Sequence, residues 1–301
     1  MSVAPTPLFD RKLIAARRRR ARWIGPATFL MDRAIEDFVD RLAAVLRRFD
    51  RAADLGTPTG AVRAALAGNN AISTMIAVDP AVDCDGSGGL RVVADVEALP
   101  FAGGVLDLVV SAFALETAND LPGVLIQIRR ALKPDGLFLA AMLGGDTLAE
   151  LRESFAVAES ELTGGVSPRV APFADVRDMG ALLQRAGFAL PVADVDRVVV
   201  RYPSPLALMA DLRRMGAANP LVERRRVPLR RDILGRMMEV YADRFAEPDG
   251  RVRASFDIIW LSGWAPHESQ QQPLRPGSAH ARLADALGTR EISAGEKPRR
   301  G

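Results

Sequence analysis

Ala52-Ala53-Asp54-Leu55-Gly56-Thr57-Pro58-Thr59-Gly60 runs from apolar residues through an acid into a tight glycine turn, and a helical pattern over about 60–67 follows. In an open α/β sheet this order makes a small-molecule site at the carboxyl end of the strand. The turn frees backbone N–H groups, and the N-terminus of the next helix faces the same crevice. A ligand site near residues 54–60 is therefore expected.

Outward from this stretch, strand and helix signals alternate. Ile35, Phe38, Val39, Leu42, Val45, Leu46 and Phe49 recur at helical spacing and predict an amphipathic helix over 31–50, ahead of a first strand at about 52–56. Residues 72–78, closed by Asp79-Pro80, read as a second strand, 90–93 as a third and 106–112 as a buried fourth. A polar, glycine-rich loop over 83–89 holds Cys84. Asp120-Leu121-Pro122 starts a helix that buries Leu121, Leu125, Ile128 and Leu132 and stops at Lys133-Pro134-Asp135-Gly136. A fifth strand is expected over 137–143, then a long helix over 146–162 whose Thr147-x-x-Glu150 suits a capping box. A further helix over 175–186 stops at Gly187, and strands six and seven fall at 195–200 and 256–260. Between those strands lies a basic, helical insertion at about 204–250.

This alternation predicts an α/β fold, a Rossmann-like doubly wound sheet of seven strands, six parallel and the last antiparallel. The expected organisation is an N-terminal helical region (1–50), a main domain (51–267) carrying the insertion, and a disordered tail (268–301) rich in Gln, Pro, Gly and Arg.

Composition narrows the class. The 301 residues are 49% hydrophobic and 26% charged with a formal net charge of +3, ordinary for a globular chain. Arg17-Arg18-Arg19-Arg20, Arg224-Arg225-Arg226 and Arg230-Arg231 are local basic runs, read here as solvated arginines. With 6% aromatics and no base-stacking motif, nucleic acid is not an expected partner. A single cysteine excludes an internal disulfide and predicts a reducing compartment, the cytoplasm. No apolar run approaches the roughly 20 residues of a membrane helix, and the Arg-rich start with its early Asp10 does not read as a removable targeting segment.

Three acids close consecutive strands. Asp54 ends the first beside the glycine turn, and Asp79 ends the second, where an acid accepts hydrogen bonds from both ribose hydroxyls. Asp95 follows the third, where a carboxylate accepts from an adenine amino group. Singly, each also reads as a turn or cap residue. The turn lacks Gly-x-Gly-x-x-Gly, and the chain has no Gly-Lys-Ser/Thr, so dinucleotide and phosphate-cradling sites are disfavoured. S-adenosylmethionine, whose nucleoside carries no phosphate, fits best. No metal is expected.

With these motifs assembled, the chain resembles class I S-adenosylmethionine-dependent methyltransferases. The resemblance rests on Asp-Leu-Gly-x-x-x-Gly, Asp95-Val96-Glu97-Ala98-Leu99-Pro100-Phe101, Leu106-Asp107-Leu108-Val109-Val110-Ser111 and Ala131-Leu132-Lys133-Pro134-Asp135-Gly136. It implies cofactor contacts at Asp54, Gly56, Thr57, Gly60, Asp79, Asp95, Val96 and Ser111. A second set is narrower. Leu8-Phe9-Asp10-Arg11, Asn119-Asp120-Leu121-Pro122, Gly144-Gly145-Asp146-Thr147-Leu148, Gly164-Gly165-Val166-Ser167-Pro168, Tyr202-Pro203 and Gly263-Trp264 resemble the mitochondrial complex I assembly factor 5 family and its bacterial relatives. That resemblance implies hydroxylation of an arginine on an iron–sulfur subunit of complex I, a protein partner, and work close to the inner face of the membrane. Malonyl-carrier-protein methyltransferases are more distant cousins.

Two departures matter. The superfamily turn has a middle glycine where this chain has Pro58, which lacks an N–H and fixes φ. One hydrogen bond lost to a charged group costs roughly 1.5–3 kcal/mol, so weaker cofactor binding is expected. After the fourth strand, relatives carry a His-Trp pair where this chain has Leu115-Glu116-Thr117-Ala118. Glu116 suits bidentate capture of a guanidinium, and equally a helix-start acid. Asp146, at the end of the fifth strand, reads as a helix cap and as a carboxylate facing a cationic substrate. His267 reads as structural and His280 falls in the tail, so no catalytic residue is assigned. Three functions remain: an arginine-modifying enzyme, a methyltransferase for a small carboxylate or carrier-bound acyl group, and an assembly chaperone with a decayed cofactor site.

Overall fold

The computed structural model describes residues 6–80, 89–271 and 288–289. The chain forms two units, Met1–Pro266 and His267–Gly301. In the second, His267 Nδ1 lies 2.7 Å from the Ser269 hydroxyl. The expected disordered tail falls almost wholly outside the described residues, as do Cys84 and His280.

The first unit runs α1 (Arg11–Ile24), α2 (Phe29–Ala43), β1 (Phe49–Leu55), α3 (Ala61–Leu66), β2 (Ile72–Asp79), β3 (Leu90–Val93), β4 (Leu106–Ala112), α4 (Leu121–Ala131), β5 (Leu132–Gly144), α5 (Ala149–Thr163), α6 (Val176–Arg185), β6 (Ala189–Tyr202), α7 (Pro205–Arg214), α8 (Arg231–Phe245) and β7 (Val252–Trp264). The strands form one sheet in the order β3-β2-β1-β4-β5-β7-β6. Ladders among β1 to β5 are parallel, and β7 pairs antiparallel with both β5 and β6. Six strands therefore share one direction and β7 opposes them. Strand order reverses between β1 and β4, and a crevice opens at their carboxyl ends by that reversal alone.

The central strands read as unbroken apolar runs because both faces are covered. Ala52, Leu108, Val110, Leu139 and Ala141 join one core with residues of α2, α5, α7 and α8. Ala53, Leu55, Val109, Phe138 and Ala140 alternate with them into a second core with α4 and α6.

Several local expectations are corrected. The helix expected over 31–50 ends at Ala43, Leu46 is 98% exposed, and Phe49 opens β1 in register with Ile72. The apolar period continued past the helix because Val45 and Leu46 of the connection and Phe49 of the strand happened to extend it. A separate helix, α1, precedes it. Strands β5, β6 and β7 are longer than expected, since β6 alternates exposed and half-buried positions and only its apolar middle signals a strand. Helix α4 buries Val124, Leu125, Ile128 and Ala131, while Leu121 is only half-buried and Leu132 begins β5.

No capping box forms at α5. Leu148 precedes it at φ 57, and neither Asp146 nor Thr147 caps it. Thr147 instead donates to the Gly144 carbonyl (2.7 Å) and accepts from the Asp257 N–H (3.0 Å), and Glu150 accepts from Ser255. These groups turned to β7 because it lies antiparallel beside β5, a long-range neighbour that local sequence does not reveal.

The β5–β7 contact is close. A Cβ on Gly144 would meet Ile259 Cδ1 and, at 2.6 Å, its Cγ1, with the Ala174 carbonyl at 3.0 Å. Gly144→Ala is expected to cost about 1–3 kcal/mol through overpacking, read as a lower urea midpoint. An unchanged midpoint would mean that this strand pair yields easily.

Candidate functional site

The crevice begins where β1 turns. Gly56 adopts φ +67, and its N–H donates to the Val78 carbonyl at 2.8 Å. A Cβ here would lie 2.8 Å from Val96 Cγ1 and 3.1 Å from Ala114 Cβ, so glycine is required twice over. Beneath the turn, Asp54 is 3% exposed and accepts from the Thr57 hydroxyl, with Arg63 Nε at 3.5 Å. Thr57 Oγ also accepts from the Ala112 N–H (3.1 Å), and the Ser111 hydroxyl donates to the Leu55 carbonyl (2.7 Å). Asp54, Thr57 and Ser111 thus stitch the turn to β4, with their polar groups directed inward. Gly60 precedes α3 as its N-cap, and Val96 is buried against Gly56.

Asp79 ends β2 and edges a small cleft with Gly56, Pro58, Val96 and Ala114. Helix α1 covers this cleft, which sequence reasoning missed. Arg11 donates to Asp95 at 2.7 Å and to Glu97 at 3.1 Å. Arg18 donates to the carbonyls of Phe113 (2.8 Å) and Gly56 (3.1 Å), the groups just beyond β4 and β1. A guanidinium therefore sits over the point where strand order reverses. Arg17 donates to the carbonyls of Ala218, at 2.8 Å, and Asn219. The reading of this arginine run as solvated is corrected at both positions. Burial lowers the pKa of Arg17 and of Arg18, yet each is held by carbonyl oxygens. The only advance signal was the Phe9-Asp10-Arg11 motif, where Asp10 caps α1 by accepting from Leu13 N–H at 3.0 Å.

A nucleoside suits these groups: an acid at the end of β2 and one after β3, a bare glycine turn and two strand-end carbonyls, now held by Arg18. The space is smaller than the ligand. With α1 in place the cleft measures about 30 Å³, so an adenosine needs α1 to withdraw. Residues 81–88, directly after Pro80, lie outside the described set.

On the other side of Arg18 and Pro58 a cavity of about 440 Å³ opens, with Phe113, Glu116 and Thr117 along it. Glu116 lies in a short 3-10 turn at 115–117. Its Oε2 is inaccessible to solvent and has no hydrogen-bond partner among the described residues. Burial pushes the carboxyl up to about 7, against the opposing pull of Arg18. A solvent-excluded carboxylate oxygen without a donor is costly unless a ligand supplies one.

Asp146 is not brought to this cavity. Its Oδ2 takes Arg197 Nη2 at 2.8 Å on an exposed face, and Arg197 also holds the buried Asp257 through Nε (2.7 Å) and Nη2 (2.9 Å). Among the described residues no group of three His, Cys, Asp or Glu side chains is placed to hold a metal, and no helix is long and apolar enough to cross a membrane.

Comparison with known proteins agrees with this architecture. The methyltransferase domain family matches residues 29–191. The arginine hydroxylase NDUFAF5 of Danio rerio mitochondria is 37% identical over 92% of this chain and 89% of its own. A malonyl-[acyl-carrier protein] O-methyltransferase of Laribacter hongkongensis is 40% identical over 62% of this chain and 60% of its own. Among solved structures, a putative methyltransferase of Bacillus halodurans superposes with a TM-score of 0.53 at 17% identity, over 77% of this chain and 98% of that one, which speaks to fold alone. The chain belongs to the methyltransferase domain family and is an enzyme of that fold, related over most of its length to the NDUFAF5 arginine hydroxylases.

Proposed function

We propose that the protein binds S-adenosylmethionine at the β1–β4 crevice and modifies an arginine side chain of a protein partner, by hydroxylation. The partner is an iron–sulfur subunit of complex I, met in the cytoplasm at the inner face of the membrane. The observation that carries the reading is Glu116, whose Oε2 is solvent-excluded and without a donor among the described residues, beside a place where a guanidinium already rests on the Gly56 and Phe113 carbonyls. Planar, bidentate donors are what such a carboxylate takes best. The names of the relatives, arginine hydroxylases at 37% identity, point the same way.

In this reading Glu116 orients the guanidinium, joined by the Phe113 carbonyl once α1 moves and Arg18 releases it. Asp79 holds the ribose, and Asp95 the adenine once Arg11 releases it. The cofactor, when bound, would place positive charge at the strand-reversal point; its sulfonium-activated methyl group serves only the methyl-transfer reading, and hydroxylation, a two-electron oxidation of the arginine, takes its oxygen from a separate oxygen-donating co-substrate. Asp79→Ala is expected to weaken S-adenosylmethionine binding about 10- to 150-fold, the value of hydrogen bonds to a charged group, by calorimetric titration. An unchanged affinity would remove the ribose assignment.

Mass spectrometry of complex I from a deletion strain tests the function. An arginine lighter by one oxygen supports hydroxylation, and an unchanged subunit overturns it. A second reading, methyl transfer to a carboxylate, draws on the arginines lining the cavity. The third, a chaperone with a decayed site, draws on Pro58, and calorimetric binding of the cofactor would exclude it.

A further inference from the structure

The large cavity has a charge pattern that an arginine substrate alone does not satisfy. Eight arginines line it, against one carboxylate, Glu116. Three of the eight are neutralised, Arg169 by Glu159, Arg214 by Asp211 and Arg224 by Asp10. Arg17 and Arg18 rest on backbone carbonyls, which leave their charge in place. Arg22, Arg213 and Arg225 make no hydrogen bond or ion pair among the described residues, and Arg213 and Arg225 are exposed at the mouth. The rest of the lining is largely apolar, with Phe155, Phe173, Met209 and Leu229.

Guanidinium groups cannot lose their charge at any ordinary pH. A lone arginine entering this cavity meets five arginines without a salt bridge, of which Arg18 faces Glu116 and Asp79 and Arg17 faces Asp10, so positive charge is in excess and opposes it on the way in. A ligand that brings negative groups to the mouth is drawn in by the same field. Charge complementarity therefore asks for two features in one ligand: a guanidinium for the floor and carboxylates for the mouth.

Resting on the arginine-modifying reading above, we propose that the cavity selects a protein segment whose target arginine is flanked by acidic residues, with Arg213, Arg225 and Arg22 as the specificity-determining groups. Discrimination lies in the mouth, and Glu116 sets what reaches the floor.

Fluorescence anisotropy with labelled five-residue peptides tests this on the full chain. One peptide has a central arginine between glutamates, a second between alanines, a third between lysines, and a fourth has leucine in place of arginine between glutamates. The glutamate-flanked arginine is expected to bind at least tenfold tighter than the alanine-flanked one, with a preference that shrinks as salt rises. Arg213→Glu with Arg225→Glu, both exposed positions, is expected to reverse the ranking toward the lysine-flanked peptide. Arg213→Gln with Arg225→Gln should erase it. Equal binding of the first two peptides, or an unchanged ranking in these variants, overturns the proposal. Displacement by an acyl-phosphopantetheine thioester but by no peptide also overturns it, assigning the mouth to a small anion. The fourth peptide separates the two readings. If it binds as tightly as the first, the acidic selection stands and the arginine-modifying reading fails at Glu116.

Discussion

Asp257→Ala is expected to lower the unfolding free energy by about 3 kcal/mol, the lower end of the range for breaking one side of a buried ion pair. The Asp257 side chain is 4% exposed, yet it accepts from Arg197 Nε and Nη2 and from the Asp146 N–H at 2.9 Å. Alanine strands that N–H and removes one of the anchors of the Gly144-Gly145-Asp146 turn. Gly145, at φ +53, is packed so closely there that a Cβ would lie 2.6 Å from Asp257 Oδ2. Arg197 is half-exposed and regains water, which keeps the loss from the upper end. The same site predicts acid sensitivity. Burial pushes the Asp257 carboxyl up, but Arg197 and the Asp146 N–H outweigh it, so its pKa lies below the usual 3.8. A lowered folded pKa gives stability that is whole above the unfolded value and is lost as pH falls through the folded one. Wild type should therefore weaken more steeply than Asp257→Ala below about pH 4 in urea titrations. Parallel acid limbs would show that the ion pair contributes nothing.

The second large effect is at Glu116, and its sign is opposite. Its folded pKa is raised from 4.5 to about 7, so the folded state binds the proton more tightly than the unfolded chain does. Stability then falls as pH rises from about 4.5 to about 7, and the penalty persists above that. Glu116→Gln removes the penalty. It is expected to stabilise the protein at pH 8 by on the order of 3 kcal/mol, the equivalent of that shift, and to change little at pH 4.5. Thermal melts across this range check it, and superimposable pH profiles for variant and wild type would refute it. The same variant should bind an arginine-bearing ligand roughly 10- to 150-fold more weakly at pH 8, since a charged acceptor becomes a neutral one. A gain in stability paired with a loss of binding is the signature of a group kept for its ligand.

Much of this molecule was legible locally. The boundaries of β3 and β4 coincide with those expected, β4 because it is an apolar run buried on both faces, while β3 is an edge strand whose Leu90 and Val93 are exposed. Asp175 and Asp120 cap their helices as the sequence suggests, each accepting from a nearby backbone N–H. Reading failed where a polar side chain had two suitors. Thr147 and Glu150 carry a capping-box spacing, yet both serve β7, over a hundred residues away in sequence. Asp146 was read as a helix cap and as facing a cationic substrate; it caps no helix and meets Arg197.

What the sequence determined by itself was the sheet and the carboxyl-edge acids, since period, glycine and chain order are local properties. Which arginines are solvated and which fill the site was decided only in three dimensions. Four consecutive arginines look alike in a string, but the helical turn of α1 points Arg18 at the Gly56 and Phe113 carbonyls and leaves Arg19 and Arg20 exposed. A guanidinium gains from burial only where acceptors already converge. Those acceptors come from strand ends brought side by side by parallel pairing across some fifty residues of chain.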